Sequence, residues 1–466
     1  MRHILLTLLL LSAQAGMIAQ TRATTPDTTE RQEAKNLREA FQKGHFHGNF
    51  RSYFMATDNA RQLQDYYALA AGGGLHYQTA AFHGFRFGLG GVFHYNLTST
   101  DLEKRDSITG ASNRYEIGLF DITDPANRAD LDRMEEFWLR YEWKKSHITL
   151  GQQSLQTPFI NPQDGRMRPT LVTGLWAETD ELKHTKIEGG WLWRISPRST
   201  VKWYSVGHSI GIYPKGLNPD GTASGYPENL ESKGAGLLGI TRQFGPRLQV
   251  QVWNQYVENI FNTALAQADY RHPLRNGHKL LLGLQWTHQD ALSAGGHEDQ
   301  TRTYFPRGAR SNVVSAQTGW QRNGWQALAA WTHITGDGRF LNPREWGREP
   351  FYTFMPRERI EGSGDVQAFT GRVSWQPPAK KWRLEAAYGR FYLPDVKNVS
   401  LNKYGFPAYE QFNFDARYTF GGALKGLRAQ LLLVWKGRLG ETYVNDKYVI
   451  NKVDMGLYNL VLNYTY

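Results

Sequence analysis

The strongest constraint on the fold of this chain is an alternation of apolar and polar side chains that continues to its last residue. In the final segment, residues that are mostly polar separate Tyr466, Tyr464, Leu462, Leu460 and Tyr458. A period of two places successive side chains on opposite faces of a β-strand, so one face of this segment is apolar. An unpaired apolar edge promotes aggregation, and a closed barrel removes the edge by pairing the last strand with the first.

The same alternation recurs along the chain from His45 onward. Each run is close to the ~9–11 residues that a tilted strand needs to cross a bilayer. Arginine or lysine facing lipid near mid-membrane costs roughly 2–4 kcal/mol, so the charged face of each strand must meet a wet interior. A soluble β-sandwich would show the same alternation, but tryptophans near strand ends favour a membrane protein. These tryptophans are Trp193, Trp286, Trp382 and Trp435.

The links between the runs predict the topology. Short links alternate with long ones, as in outer-membrane barrels with short periplasmic turns and long outer loops. Nineteen candidate strands can be distinguished, whereas two periplasmic ends require an even number. Placing Thr200–Val206 within a single outer loop, 196–232, restores the alternation and leaves eighteen. The predicted fold is therefore all-β, a transmembrane antiparallel β-barrel of eighteen strands that is wide enough to hold an aqueous channel.

The first 44 residues differ from the rest of the chain. The apolar run Ile4–Leu11 follows a basic start and precedes small residues, so residues 1–19 are predicted to be a signal peptide. Residues 20–44 are polar and are predicted to form a periplasmic extension, with the barrel over 45–466. The expected location is the outer membrane of a Gram-negative cell. The aromatic C-terminus resembles the signal read by the barrel-assembly machinery, which is therefore an expected partner.

Composition narrows the range of partners. The formal net charge is +11, but the basic residues are scattered singly along strands, so nucleic acid is not expected to bind. The chain has no cysteine, which excludes a disulfide framework and thiol chemistry. The expected partners are outer-membrane lipid and small-molecule solutes. The sequence is compatible both with a monomer and with a homo-oligomer.

Two stretches resemble the OprD-type family of outer-membrane porins. The first contains Thr149–Gly151, Thr157–Phe159 and Asp164–Pro169, and it is similar to the third-loop region of that family. The second contains Asn413–Tyr418 and Leu424–Leu427, and it is similar to the penultimate hairpin of the family. The resemblance implies a substrate-selective porin whose third loop folds inward. It also implies small carboxylate-bearing solutes that are guided by basic side chains on the inner wall.

Four arginines are predicted to lie on the lumen face of four consecutive strands, each near a short turn. They are Arg372, Arg383, Arg417 and Arg428. Guanidinium groups on a low-dielectric wall attract anions and bind carboxylates through paired hydrogen bonds. Glu385 and Asp415 are interleaved with them, so the alternative is that these arginines pair with the two acids and only brace the wall.

The loop over 154–169 is the predicted constriction, with Asp164, Arg166 and Arg168 as its candidate residues. Charges of both signs inside a lumen set a transverse field along which dipolar solutes align. The alternative is a surface loop that faces outward, as most loops do.

Neither catalysis nor a cofactor is expected. The sequence lacks the G-x-S-x-G, H-E-x-x-H, P-loop and dinucleotide-binding patterns. His47, His76 and His94 are predicted to face the lumen, but acidic partners at ligand spacing are missing, so a metal site is not expected.

The predicted function is passive, substrate-selective diffusion of small hydrophilic solutes, carboxylates above all, through a charged lumen. The alternative is a barrel with a plugged lumen that acts as a lipase-like enzyme or as an adhesive or structural protein.

Overall fold

The computed structural model describes residues 33–162, 166–213 and 215–466. The predicted signal peptide, most of the predicted extension and Asp164 therefore lie outside the described residues. Eighteen long antiparallel strands form one sheet that closes on itself. They are His45–Asp58 (β1), Tyr66–Gln78 (β2), Phe85–Ser99 (β3), Arg133–Trp143 (β4), Ser146–Gln153 (β5), Leu171–Thr179 (β6), Thr185–Ser196 (β7), Ala235–Phe244 (β8), Leu248–Val257 (β9), Phe261–Pro273 (β10), Lys279–Ala291 (β11), Arg310–Arg322 (β12), Trp325–Ile334 (β13), Val366–Trp375 (β14), Trp382–Tyr392 (β15), Tyr409–Thr419 (β16), Leu427–Arg438 (β17) and Met455–Thr465 (β18).

Pairing between the last strand and the first closes the barrel. β1 lies between β2 and β18, and its register with β18 runs from Asn49 opposite Thr465 to Asp58 opposite Gly456. Every strand thus has two neighbours, which leaves no unpaired edge of backbone N–H and C=O groups. This closure confirms the predicted β-barrel.

The number of strands also agrees with the prediction. Tyr204–Ser205 forms a two-residue strand that pairs only with the end of β7. β7 pairs directly with β8, from Thr185 opposite Arg242 to Leu192 opposite Ala235. The segment predicted to belong to an outer loop is therefore part of a loop, and eighteen strands build the wall.

The two ends of the barrel differ. At one, called here the turn end, eight short links join the strands, the longest being 420–426. The link between β12 and β13 is Asn323-Gly324, and both residues have positive φ, 46° and 85°. Asn-Gly is the preferred pair for such a tight hairpin turn because both residues tolerate the left-handed conformation. At the other end, called the loop end, most links are long.

Helical structure is sparse in the described part of the chain. It contains one α-helix, α1, which spans Leu37–Gln42, and Asn36 caps this helix by accepting a hydrogen bond from the N–H of Glu39 at 2.9 Å. The 3₁₀ turns are Glu116–Leu119, Gly207–Ser209, Arg275–Gly277, Gln300–Arg302, Gly422–Leu424 and Asp446–Tyr448. Among the described residues, no helix has the length and the apolar character needed to cross a membrane.

Four long loops at the loop end fold into the lumen. They are named L2 (100–132), L3 (154–170), L4 (197–234) and L7 (335–365). Their apolar side chains form buried clusters with the inner face of the wall, and Trp346 of L7, fully buried, donates a hydrogen bond to Ser209 of L4 at 2.7 Å. The apolar core of this protein therefore lies between loops and wall. The outer face of the barrel keeps its exposed apolar residues, including the four predicted tryptophans.

The alternation of faces can be tested on β17. Leu431 is 39% exposed on the outer face, whereas the amide of the adjacent Gln430 faces the lumen and donates a hydrogen bond to Asp415 at 2.9 Å. We expect Leu431→Arg to lower the free energy of unfolding by roughly 2–4 kcal/mol, because arginine would then face lipid. Gln430→Arg is the matched control, since its guanidinium can still bind Asp415. Denaturant titration of the protein in lipid vesicles measures both, and equal losses would contradict the assigned faces.

Candidate functional site

L7 crosses the lumen from one wall to the other. On one side, the hydroxyl of Tyr352 donates a hydrogen bond to Asp269 of β10 at 2.8 Å. On the opposite side, Arg357 donates a hydrogen bond to Asn459 of β18 at 2.9 Å. This loop therefore divides the interior into two cavities, which Arg348 and Phe354 separate, since both residues line both spaces.

The larger cavity, called here the basic cavity, has a volume of about 600 Å³. It extends from L7 to the turn end of the wall. Glu358 and Asp415 are the two acids among its lining residues, against eleven arginines and two lysines. The cationic residues are Arg51, Arg114, Arg166, Arg198, Arg344, Arg348, Arg357, Arg359, Arg383, Arg417, Arg428, Lys380 and Lys381. Such an excess of positive charge in a confined space raises the local concentration of anions.

The structure brings three of the four predicted wall arginines together. Arg383, Arg417 and Arg428 line the basic cavity, with Arg383 directly opposite Arg417 on neighbouring strands. Arg372 lines the smaller cavity instead, where its guanidinium donates a hydrogen bond to the carbonyl of Phe354 at 2.9 Å.

These arginines are partly paired. Arg417 donates two hydrogen bonds to Asp415, at 2.9 and 2.7 Å, and Arg383 lies 3.3 Å from Glu385. Both arginine side chains remain 50% exposed, and ion pairs of this kind contribute only about 0–1 kcal/mol. Within the described part of the chain, Arg428 forms no ion pair or hydrogen bond through its side chain. Bracing the wall therefore leaves guanidinium surface accessible to a passing anion.

The predicted constriction residues occupy two different environments. Arg166 lines the basic cavity, where its guanidinium donates a hydrogen bond to the carbonyl of Tyr115 at 2.6 Å. Arg168 does not line it; its side chain is 1% exposed and donates hydrogen bonds to the carbonyls of Leu131 and Phe120, at 3.1 and 2.9 Å. It thus fastens L3 to L2. Asp164 lies outside the described residues.

L7 supplies basic residues that were not among the predicted site residues. Arg344, Arg348, Arg357 and Arg359 all reach the basic cavity from this loop. A signal was present in the sequence, because one long link carries five arginines between 339 and 359. Strand parity could not assign them, since a loop has no fixed alternation of faces.

Glu358 joins L7 to two other elements. Its carboxylate lies 2.9 Å from the guanidinium of Arg114 in L2 and 2.8 Å from the ammonium of Lys436 in β17, and the side chain is 1% exposed. Burial alone would raise the pKa of Glu358, but the nearby charges of Arg114, Lys436 and Arg344 lower it to about 2. The carboxylate is therefore ionised at neutral pH and holds three cationic groups in place.

The comparison with known families decides the identity of the fold. Residues 39–353 match the family described as outer membrane porin, OprD family. The chain belongs to this family. It is a non-enzymatic channel for small solutes in the Gram-negative outer membrane. No curated protein sequence matches the chain.

Solved structures of family members share the architecture of this porin. OpdK of Pseudomonas aeruginosa, solved with vanillate, is 15% identical with a TM-score of 0.69 over 91% of this chain and 99% of its own. OccAB1 of Acinetobacter baumannii is 14% identical, with a TM-score of 0.70 over 94% and 99% of the two chains. OccAB2 of the same organism is 12% identical, with a TM-score of 0.72 over 92% and 99%. At such low identity the likeness extends to the fold alone.

The three predicted lumen histidines fill part of the interior of the porin. The ring of His47 stacks on that of His76 with centroids 4.9 Å apart, and His76 lies 3.5 Å from Glu136. His94 is buried against Phe120 of L2. In the described ranges, no group of three or more His, Cys, Asp or Glu side chains is placed to hold a metal ion.

The Glu358 cluster predicts how firmly L7 is held. Glu358→Gln leaves Arg114 and Lys436 without a buried counter-charge, which typically costs about 3–5 kcal/mol. L7 can relieve this cost by moving, so we expect the variant to show several conductance substates in planar bilayers at pH 7. The matched control is Glu298→Gln, because Glu298 pairs with Arg307 at 2.7 Å but is 86% exposed. A variant channel as uniform as the control would contradict the role of Glu358.

The same cluster predicts a pH dependence. Because the pKa of Glu358 is lowered from 4.5 to about 2, its stabilising contribution is complete above about pH 4.5. The contribution is lost as the pH falls toward 2. The parent channel should therefore show substates only on acidification below about pH 4.5, whereas Glu358→Gln should show them at every pH. Recordings between pH 7 and about pH 2 provide the measurement.

Proposed function

We propose that this porin passes small carboxylate-bearing solutes by passive diffusion and that the basic cavity recognises the carboxylate. The observation that carries the proposal is the imbalance of charge in that cavity, where thirteen cationic side chains line about 600 Å³ together with two acids. The positive potential of the cavity stabilises a carboxylate that leaves bulk water, and planar guanidinium groups orient it through paired hydrogen bonds.

The arrangement of the arginines supports passage as well as binding. They come from four inward loops, L2, L3, L4 and L7, and from the wall strands β1, β15, β16 and β17. A carboxylate can therefore exchange one guanidinium partner for the next as it moves along the wall. Conduction requires several sites of moderate affinity, because one tight site would trap the solute. OpdK, solved with vanillate, shows that one protein of this fold accommodates an aromatic carboxylate.

Reversal potentials in a salt gradient test the proposal. The double variant Arg417→Gln, Arg428→Gln should lower the ratio of anion to cation permeability roughly five- to tenfold. Coulomb's law gives about 0.6 kcal/mol for unit charges ~7 Å apart in water, so removing two charges raises the energy of the anion by about 1.2 kcal/mol and lowers that of the cation equally. Screening at ~0.1 M salt roughly halves the sum of these two effects. Arg390→Gln is the matched control, since Arg390 lies on the outer face of β15 and pairs with Glu410.

Two results would contradict the proposal. Unchanged selectivity in the double variant would show that these arginines only brace the wall. Stable insertion of the parent protein without discrete conductance steps would show that the inward loops plug the lumen, and the protein would then be structural or adhesive.

A further inference from the structure

The smaller cavity lies on the other side of L7 and has a volume of about 390 Å³. We call it the amide chamber because carboxamides are its commonest polar groups. They belong to Gln156 and Asn161 of L3, Gln251 of β9, Gln267 of β10 and Gln317 of β12. Hydroxyl groups of Thr157, Tyr352 and Thr370 complete the uncharged polar lining.

The wall behind the amide chamber continues this chemistry. Nine glutamines occupy the lumen face of β8 to β12. The opposite wall, from β14 to β17, carries arginines instead. These glutamines are Gln243, Gln249, Gln251, Gln255, Gln267, Gln285, Gln289, Gln317 and Gln321. The lumen thus has an arginine-rich side and a glutamine-rich side, with L7 between them.

The charged residues of the amide chamber are turned away from it or lie at its border. The carboxylate of Glu349 accepts hydrogen bonds from the backbone N–H groups of Ile360 and Glu361, at 3.0 and 2.9 Å. Arg372 donates to a carbonyl of L7 and lies 3.4 Å from Glu385. Arg348 stands at the partition, with its guanidinium over the ring of Phe354. The middle of the chamber is left to neutral donors and acceptors.

Within the described residues, two amides of the chamber are each held by one bond and keep the rest of their hydrogen-bonding capacity. Gln251 accepts a hydrogen bond from the indole N–H of Trp253 at 3.0 Å, which fixes its carbonyl and leaves its two N–H donors to the cavity. Gln317 uses its NH₂ group toward Asp269 at 3.5 Å, which leaves its carbonyl to the cavity. A carboxamide offers two donors and two acceptor sites in all, so both residues can bind a further polar group.

We propose that the amide chamber is a second solute site, which binds the hydroxyl-rich, uncharged part of a solute whose carboxylate meets Arg348 at the border with the basic cavity. Only the placement of the carboxylate rests on the proposed function. The solute class is then polyhydroxylated carboxylates, the sugar acids.

Three features of the amide chamber fit this class. A hydroxyl group both donates and accepts, which matches carboxamides that present both kinds of group. The rings of Tyr352 and Phe354 line the same space and offer apolar surface to the C–H faces of a sugar ring. Arg348 lines both cavities, so its guanidinium is placed to meet the carboxylate of a solute whose hydroxyl groups lie in the chamber.

The chamber also sets a rule for discrimination. An analogue without hydroxyl groups would displace water from Gln251 and Gln317 and leave their amides unpaired, which is unfavourable. The porin should therefore prefer a hydroxylated ring acid over an apolar ring acid of the same size and charge.

Liposome swelling tests this with three probes: D-glucuronate, cyclohexanecarboxylate and D-glucose. The double variant Gln251→Met, Gln317→Met keeps side-chain length but removes the amides. We expect it to lower the rate of glucuronate entry roughly fivefold, because two hydrogen bonds are lost, and to leave cyclohexanecarboxylate within about twofold of the parent. Gln321→Met, on the lumen face of β12 outside the chamber, is the matched control. Chloride conductance equal to that of the parent shows that each of these glutamine variants is folded and open.

The outcomes separate this inference from the proposed function. Equal slowing of both ring acids, or slowing of neither, by the glutamine variant would overturn the amide chamber as a hydroxyl site. Arg417→Gln with Arg428→Gln should slow both acids and leave glucose unchanged. If that arginine variant slowed neither acid while the glutamine variant slowed glucuronate and glucose, the carboxylate proposal would fall and the chamber would stand.

Discussion

Hydrocarbon offers no hydrogen bonds, and every other feature of this porin depends on that constraint. Each backbone N–H and C=O group in the membrane must therefore find a partner in a neighbouring strand, which β1 and β18 achieve by pairing with each other. Eighteen strands closed in this way enclose a space too wide to discriminate among small solutes. In the proposed function, selectivity comes from the loops that enter that space. L7 is fixed there by bonds to both walls, through Tyr352 and Arg357.

Holding a loop inside a basic lumen is an electrostatic problem. Cationic side chains that are crowded together repel one another, and burial makes an unpaired charge costly. Glu358 addresses both effects, because it is surrounded by Arg114, Arg344 and Lys436 and contacts elements from three parts of the chain. At the cavity surface, Arg383 and Arg417 are half exposed and partly paired. Structural acids are thus mixed in one cluster with the arginines that we propose to recognise carboxylates.

The sequence predicted the wall well and the interior poorly. Alternation between lipid and lumen is a local rule, so it placed Arg383, Arg417 and Arg428 on the inner face and removed Thr200–Val206 from the wall. The rule does not apply to loops. Arg166 and Arg168 are two positions apart and would share a face in a strand, but in L3 they have different environments because tertiary contacts orient them. The arginines of L7 were missed for the same reason. The lumen-facing positions of the glutamines of β8 to β12 follow from the alternation. A carboxamide carries no charge, however, so the alternation alone does not distinguish a binding group from polar filling of the lumen.

The partition formed by Arg348 and Phe354 lies deep within the barrel, remote from the tips of the outer loops. Exposed positions such as Val444, which is fully accessible, make no contribution to either cavity. Phages, antibodies and other agents that bind the cell surface reach only such tips. Substitutions at these exposed tips can therefore change the surface that such agents recognise over evolutionary time, while the residues that line the two cavities stay the same.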